Sequence, residues 1–103
     1  MKVAILQKKS LDRQFSRNTE TVIETMKEAA KNGADILLLP EAFLTGYSLP
    51  MDNKEALSDR NLYLQKISDA AKELHLGVVV TAITKGWNKP RNSAYVVKTV
   101  PCL

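Results

Sequence analysis

Apolar residues occur in short unbroken blocks separated by polar stretches, and the spacing within each block predicts its secondary structure. Lys2 to Gln7, Asp35 to Leu39 and Val78 to Ile83 each contain at least three consecutive apolar residues. Unbroken runs of this length are typical of strands that are covered on both faces. A fourth strand is predicted at Ser93 to Val97, after a short loop that favours an antiparallel hairpin with the third strand.

Between these runs, two segments repeat apolar residues every three or four positions, which is the spacing of an amphipathic helix. The first helix is predicted to be capped by Asn18 and to end at Asn32-Gly33, where glycine permits a left-handed stop. The second is predicted to be capped by Ser58 or Asp59 and to end at Leu76-Gly77. The apolar stripes are Val22, Ile23, Met26, Ala29 and Ala30 in the first helix, and Tyr63, Ile67, Ala70, Ala71 and Leu74 in the second.

The order of these elements, β-α-β-α-β-β, predicts an α/β fold. Two strands joined by one helix within some forty residues form a right-handed crossover, so the strands at either side of the first helix are parallel. The central sheet is therefore expected to be at least partly parallel.

The composition favours a single domain in the cytoplasm, without a membrane-spanning segment. The 103 residues are 45% hydrophobic, which suits a single domain with a modest core. No apolar run approaches the ~20 residues of a membrane helix, and the polar Gln7-Lys8-Lys9 comes too early for a signal peptide, so no membrane partner is expected. The single cysteine, Cys102, cannot form an internal disulfide, which favours a cytoplasmic protein.

The charge is mildly basic, with 15 basic and 11 acidic residues and a net charge of +4. Basic residues are spread along the chain, and aromatic residues make up only 6% of it, whereas surfaces that follow phosphates combine a basic stripe with stacking aromatics. We therefore expect no nucleic-acid partner, and weak nucleic-acid binding remains the least favoured alternative.

Glu41 is the most informative charged residue because it follows the second strand directly after Pro40. Proline ends a strand, so the carboxylate lies at the carboxyl edge of the sheet, where ligands bind in open α/β folds. Shielded by Phe43, Leu44 and Tyr47, it could serve as a general acid or base, although most loop carboxylates have no chemical role. One histidine and one cysteine give no metal-ligand spacing, and the 4 glycines are too scattered for a phosphate loop.

Several segments resemble the opening of the carbon-nitrogen hydrolases, the nitrilase superfamily. They are the run Glu28 to Asp35, the run Leu38-Leu39-Pro40-Glu41-Ala42-Phe43-Leu44-Thr45-Gly46-Tyr47, and Asn92-Ser93-Ala94. Val3 to Gln7 and the helix that begins near Asn18 fit as well, so the match is collinear from about Lys2 to Val97. The resemblance implies the amino-terminal part of an α-β-β-α sandwich.

The same resemblance implies a Glu-Lys-Cys triad that hydrolyses small non-peptide amides or nitriles without a cofactor. Only Glu41 corresponds to a triad member, as the general base. Tyr47 is expected to border the substrate pocket, with Phe43 as a further candidate. A small non-catalytic α/β binding or interaction module that kept the scaffold remains the alternative function.

The lysine and cysteine of the triad have no counterpart in this chain. Lys98 follows Val97 without the turn that precedes the family's lysine, and Cys102 lies in a context unlike that of the family's nucleophile. We therefore expect a partial hydrolase domain at residues 1–97, a divergent or truncated tail at residues 98–103, and an inactive fragment. The amino-terminal part of an α-β-β-α sandwich would by itself expose apolar surface of its sheet and helices, which predicts self-association or a homo-oligomer.

Three other residues have simpler interpretations. His75 is expected to interact with the dipole at the end of the second helix. Trp87 is expected to anchor its loop rather than line a substrate wall. Asn92 is expected to make structural hydrogen bonds at the start of the fourth strand.

Overall fold

The computed structural model describes residues 1–46, 51–58 and 61–98, which form four strands and two helices. The observed order β-α-β-α-β-β and the α/β class agree with the sequence prediction, which is confirmed. In chain order, the elements are β1 (Val3–Ile5), α1 (Phe15–Lys31), β2 (Ile36–Leu38), α2 (Leu62–Leu74), β3 (Gly77–Thr84) and β4 (Arg91–Val97).

The four strands form one sheet in the order β1-β2-β3-β4. The first three strands are parallel, and Ile5, Leu38 and Val79 lie side by side across them. β4 returns antiparallel to β3, so that Asn92 pairs with Ile83 near one edge and Val97 pairs with Val78 near the other. The predicted parallel crossover and the predicted terminal hairpin are both confirmed.

Both helices pack on one face of the sheet, and the main core lies between the two layers. Alternate strand residues point toward the helices because side chains in a strand alternate between its two faces. Burial of each large aliphatic side chain in this layer contributes roughly 1.5–3 kcal/mol. The fully buried members include Leu37, Val78 and Val80 from the sheet, Val22 and Met26 from α1, and Ile67 and Ala71 from α2.

The other face of the sheet is covered only in part. Val3, Ile5 and Val96 are exposed by 49%, 64% and 64%, so the expectation that the first strand is covered on both faces is wrong for the described residues. An unbroken apolar run does not reveal which face has a partner. Near the carboxyl end of β3 this face is covered, because Ile83 packs with a small buried cluster of Ala42, Met51 and Ala56.

The first helix begins one turn before the predicted cap. Its N-cap is Gln14, which makes no side-chain capping hydrogen bond, and Asn18 lies inside the helix. The Asn18 amide is buried, accepts from the Leu11 N–H at 2.9 Å, and donates to the carbonyls of Leu11 at 2.7 Å and Leu44 at 3.0 Å. The predicted cap was wrong because this side chain connects two loops instead of capping its own helix.

The second helix also has a different cap from the predicted pair. Asn61 is the N-cap and accepts from the Leu64 N–H at 2.9 Å, so the prediction of Ser58 was wrong, while Asp59 lies outside the described residues. The helix ends at Leu74, and His75 adopts the left-handed conformation at its C-cap with a φ of 53°. Gly33 provides the corresponding left-handed residue after α1, as predicted. Neither helix in the described ranges is long and apolar enough to cross a bilayer.

Candidate active site

Glu41 lies at the edge of the sheet where the parallel strands end. β2 ends at Leu38. Directly after it, the Leu39 N–H donates to the Val79 carbonyl of β3 at 3.3 Å. Pro40 has no N–H with which to continue the ladder. The Glu41 side chain is exposed, whereas Phe43 and Leu44 are buried in the main core. The expected apolar shield over the carboxylate is therefore absent in the described residues.

Residues 41–46, which we call the Glu41 turn, reverse the chain at this edge. Ala42 is fully buried and has a φ of 51°, and the Gly46 N–H donates to the Ala42 carbonyl at 2.9 Å. Gly46 has a φ of 82°, and a Cβ at this position would lie 2.8 Å from the Asp12 Cα. Glycine is required there both by its conformation and by the close approach of the segment before α1.

Three consecutive carbonyls of the Glu41 turn accept hydrogen bonds from the segment that leads into α1 and from the first turn of that helix. Ser10 Oγ donates to Phe43 at 2.6 Å, the Asn18 amide donates to Leu44 at 3.0 Å, and the Arg13 N–H donates to Thr45 at 2.8 Å. The Thr45 hydroxyl accepts from the Ile83 N–H of β3 at 2.9 Å. Because hydrogen bonds fix the turn on two sides, it holds Glu41 at a defined place.

Asn92 is the direct side-chain partner of Glu41. Its side-chain amide donates a hydrogen bond to Glu41 Oε1. The contact arises because Asn92 of β4 pairs with Ile83 of β3. This pairing brings the start of β4 to the edge where β2 ends. The sequence predicted only structural hydrogen bonds for Asn92, and its contact with Glu41 was not anticipated. The Asn92-Ser93-Ala94 segment within the family resemblance was the signal that could have indicated it.

The two predicted pocket residues have different outcomes. Phe43 is 1% exposed and packs in the main core, so its side chain belongs to the scaffold under the Glu41 turn. Tyr47 lies outside the described residues. The pocket roles of both residues stay predictions.

Other residues singled out by the sequence lie away from Glu41. Lys98 directly follows β4 at the opposite edge of the sheet, six strand residues or roughly 20 Å from Asn92.

Trp87 in the loop between β3 and β4 is 93% exposed, so the prediction that it anchors this loop was wrong. Instead, the Asn53 side chain and the Gly86 backbone exchange two hydrogen bonds of 2.9 and 3.0 Å. Cys102 lies outside the described residues.

An ion pair links the loop before α1 to the segment before α2. The Arg13 guanidinium donates to Glu55 and also to Asp12, at 2.6 Å for the latter. The hydrogen bond from Arg13 holds the pKa of the Glu55 carboxyl below its usual value, and the same contact raises the pKa of Arg13. Both side chains are about one-third exposed, so solvent weakens the pair.

We found no group of three histidine, cysteine, aspartate or glutamate side chains placed to hold a metal ion within residues 1–46, 51–58 and 61–98. Three surface cavities occur beside β1, between α2 and β4, and at the amino-terminal edge of the sheet, and Glu41 lines none of these three.

Comparison with known proteins places the chain in a family. The carbon-nitrogen hydrolase family model matches residues 2–99. Nitrilase homolog 2 of Dictyostelium discoideum is 32% identical over 82 residues, which cover 77% of this chain and 25% of the relative. The glutamine-dependent NAD(+) synthetase of Thermotoga maritima is 34% identical over 87 residues, which cover 82% of this chain and 15% of the relative.

Solved structures share the fold. An amidase from Nesterenkonia sp. superposes with a TM-score of 0.74 at 17% identity, covering 93% of this chain and 37% of the amidase. A carbon-nitrogen hydrolase superfamily protein from Xanthomonas campestris superposes with a TM-score of 0.80 at 17% identity, covering 93% of this chain and 36% of that protein. The chain thus spans about a quarter or less of the curated relatives and little more than a third of the solved structures. Because the family model matches nearly its whole length, the chain belongs to the carbon-nitrogen hydrolase family.

Proposed function

We propose that this chain supplies the general base, Glu41, of an amidohydrolase that cleaves small non-peptide amides through a thioester intermediate. The observation that carries the proposal is the position of Glu41: it follows a buried parallel strand, lies at the carboxyl edge of the sheet, and is held there by Asn92. Nitriles are the second substrate class. Both classes need a carboxylate that can exchange protons with a nucleophile and with water.

The proposed reaction uses Glu41 twice. A cysteine thiol transfers its proton to the carboxylate, and the thiolate adds to the carbonyl carbon of the amide. The protonated carboxyl then donates this proton to the departing amine as the carbon-nitrogen bond breaks, which leaves a thioester. Water next attacks the thioester while Glu41 accepts a proton from it, and the thiol is regenerated as the acid leaves. A lysine stabilises the oxyanion in both additions.

The lysine and the cysteine are proposed to come from sequence outside these residues. Lys98 lies at the wrong edge of the sheet, as described above, and the sole cysteine is Cys102. One structure of the Nesterenkonia amidase, a glutamate-to-leucine mutant, shows the acetamide moiety of fluoroacetamide covalently added to the active-site cysteine, which supports cysteine as the nucleophile in the proposed reaction. The 103 residues alone are proposed to be an inactive part of a longer cytoplasmic enzyme.

The test compares the chain with the longest polypeptide that its gene encodes. Ammonia release from small aliphatic amides and nitriles is measured for both, and intact mass is recorded after brief exposure to substrate. We expect the longer polypeptide to release ammonia and to gain the mass of one acyl group, and the chain alone to do neither. Hydrolysis by the isolated chain, or a longer polypeptide that forms no acyl adduct on cysteine, would contradict the proposal.

A further inference from the structure

Thr81 on β3 contacts both sides of the Glu41-Ala42 dipeptide. Its hydroxyl donates to the Pro40 carbonyl, which precedes the dipeptide, and accepts from the Phe43 N–H, which follows it, at 3.0 Å. One hydroxyl group therefore bridges the two peptide units that flank Glu41 and Ala42. The Thr81 carbonyl adds a third contact by accepting from the Leu44 N–H at 3.0 Å.

The bridged dipeptide contains a backbone conformation that needs external support. Ala42 has a φ of 51°, which is the left-handed region and is disfavoured for any residue with a Cβ. Its methyl group is fully buried in the cluster with Met51, Ala56 and Ile83. Strained residues of this kind persist only where the surroundings hold them, and they are concentrated at functional sites.

The position of Thr81 in the sheet explains how its hydroxyl can bridge the two peptide units around Glu41 and Ala42. β2 ends at Leu38, which pairs with Val79, so the next residue on the same face of β3 has no strand beside it on that side. The Glu41 turn occupies the place of the missing strand. On its other side Thr81 pairs normally with Ala94 of β4. The hydroxyl is thus fixed to a rigid strand and faces the turn.

We propose that Thr81 is a positioning residue that holds Ala42 in its left-handed conformation and thereby directs the Glu41 carboxylate toward Asn92. The hydroxyl uses its donor and an acceptor at once, so that its removal leaves the Pro40 carbonyl and the Phe43 N–H without this partner. The catalytic consequence rests on the proposed function of Glu41, but the geometric claim does not.

The chain offers a matched control for testing this role. Thr84 lies on the same strand, is similarly buried, and bonds through its hydroxyl to Ser93 Oγ at 2.8 Å instead of to the Glu41 turn. Thr81→Val and Thr84→Val both replace a buried hydroxyl by a methyl group of similar size. Thr81→Ser keeps the hydroxyl and should rescue any effect that depends on it.

The first measurement is NMR on the chain, with hydrogen exchange of the Phe43 N–H and the side-chain amide resonances of Asn92 as readouts. In Thr81→Val we expect the Phe43 N–H to exchange about tenfold faster, which is the effect of losing one hydrogen bond. We also expect the Asn92 amide to shift toward its position in Glu41→Ala, which lacks the acceptor of the Asn92 hydrogen bond. Thr81→Ser should retain the original values of both, and Thr84→Val should leave both unchanged.

The proposal is overturned if Thr81→Val leaves both readouts unchanged, or if Thr84→Val changes them equally. If Thr81→Val does not fold, hydrogen exchange in the unsubstituted chain and in Thr81→Ser provides the test. Rapid exchange of the Phe43 N–H in either of them would exclude the bridge. In the longer enzyme, Thr81→Val should lower kcat with little change in KM. A fully active Glu41→Gln enzyme would refute the proposed function while leaving the NMR result for Thr81 intact.

Discussion

The side-chain amide of Asn92 donates a hydrogen bond to the carboxylate of Glu41, which precedes it by 51 residues. The contact joins the end of β2 to the start of β4 across the carboxyl end of β3. A neutral amide orients one carboxylate oxygen without adding a charge, and the second oxygen can exchange a proton. The pair thus gives an exposed carboxylate a fixed direction.

Asn92→Asp should therefore impair the proposed enzyme more than its small change in volume suggests. The substitution replaces a hydrogen-bond donor with a second carboxylate, which repels Glu41 and turns it away. We expect kcat of the longer polypeptide to fall by about 100-fold, as is typical for a misplaced catalytic group. Asn88→Asp, in the exposed loop between β3 and β4, is the control for added charge. An Asn92→Asp variant with unchanged kcat would show that Asn92 has no role in the active site.

Gly46→Ala should destabilise the fold more than Gly33→Ala. Both glycines have positive φ angles, of 82° and 79°, so that both substitutions carry the cost of a left-handed alanine, about 1–2 kcal/mol. At Gly46 the new Cβ would also meet the Asp12 Cα at 2.8 Å, whereas nothing lies within 4 Å at Gly33. Urea unfolding of the two variants should show a larger loss for Gly46→Ala. Equal losses would mean that the close approach to Asp12 is absent in solution.

Much of the fold could be predicted from the sequence because its signals are local. The apolar run at Ile36 to Leu39, the helical spacing around Met26 and the glycine after Asn32 each depend on neighbours within a few residues. The predicted cap of the first helix failed for the opposite reason. Asn18 is a good capping residue by type, but its amide bonds to Leu44, which is 26 residues away in sequence.

The site was predictable only in part. Pro40 and the preceding apolar run located Glu41 at the sheet edge, since a strand end can be inferred from sequence. The partners of Glu41 could not be inferred in this way, because Thr81 and Asn92 approach it only through the register of β3 and β4. The expected shielding of Glu41 by Phe43 and Leu44 failed because both side chains are buried in the main core.

Acid should remove the contribution of the pair between Arg13 and Glu55. The folded-state pKa of Glu55 lies below its unfolded value of about 4.3, so the pair stabilises the fold above that pH and ceases to do so as pH falls through the folded pKa. We expect Glu55→Gln to be less stable than the unsubstituted chain at neutral pH. The difference should shrink in urea titrations repeated at successively lower pH below about 4. A difference that grows on acidification would contradict this assignment.

The sheet face that the described residues leave exposed should make the chain associate with itself. Val3, Ile5 and Val96 are exposed large apolar residues on this face, which we call the outer patch. Surfaces of this kind drive association because water is released when they are covered. Sedimentation should show dimers or larger species for the chain, and Ile5→Lys together with Val96→Lys should shift it toward monomer.

The control for the outer patch is Trp87→Lys, which changes an even more exposed apolar residue in the loop between β3 and β4. This variant should associate like the unsubstituted chain. A chain that is monomeric throughout, or a Trp87→Lys variant that dissociates to the same extent as the double variant, would exclude the outer patch as the contact surface.

The most direct test of the role of Glu41 is the activity of Glu41→Gln against that of Glu55→Gln in the longest polypeptide encoded by the gene. Glutamine keeps the shape of the side chain and can still bond to Asn92, but it cannot accept the proton of a thiol. We predict that Glu41→Gln lowers kcat for amide hydrolysis by about 10²- to 10⁴-fold, the usual contribution of general acid–base catalysis, while Glu55→Gln stays near the unsubstituted rate. A Glu41→Gln enzyme that releases ammonia at the unsubstituted rate would contradict the assignment of Glu41 as the general base.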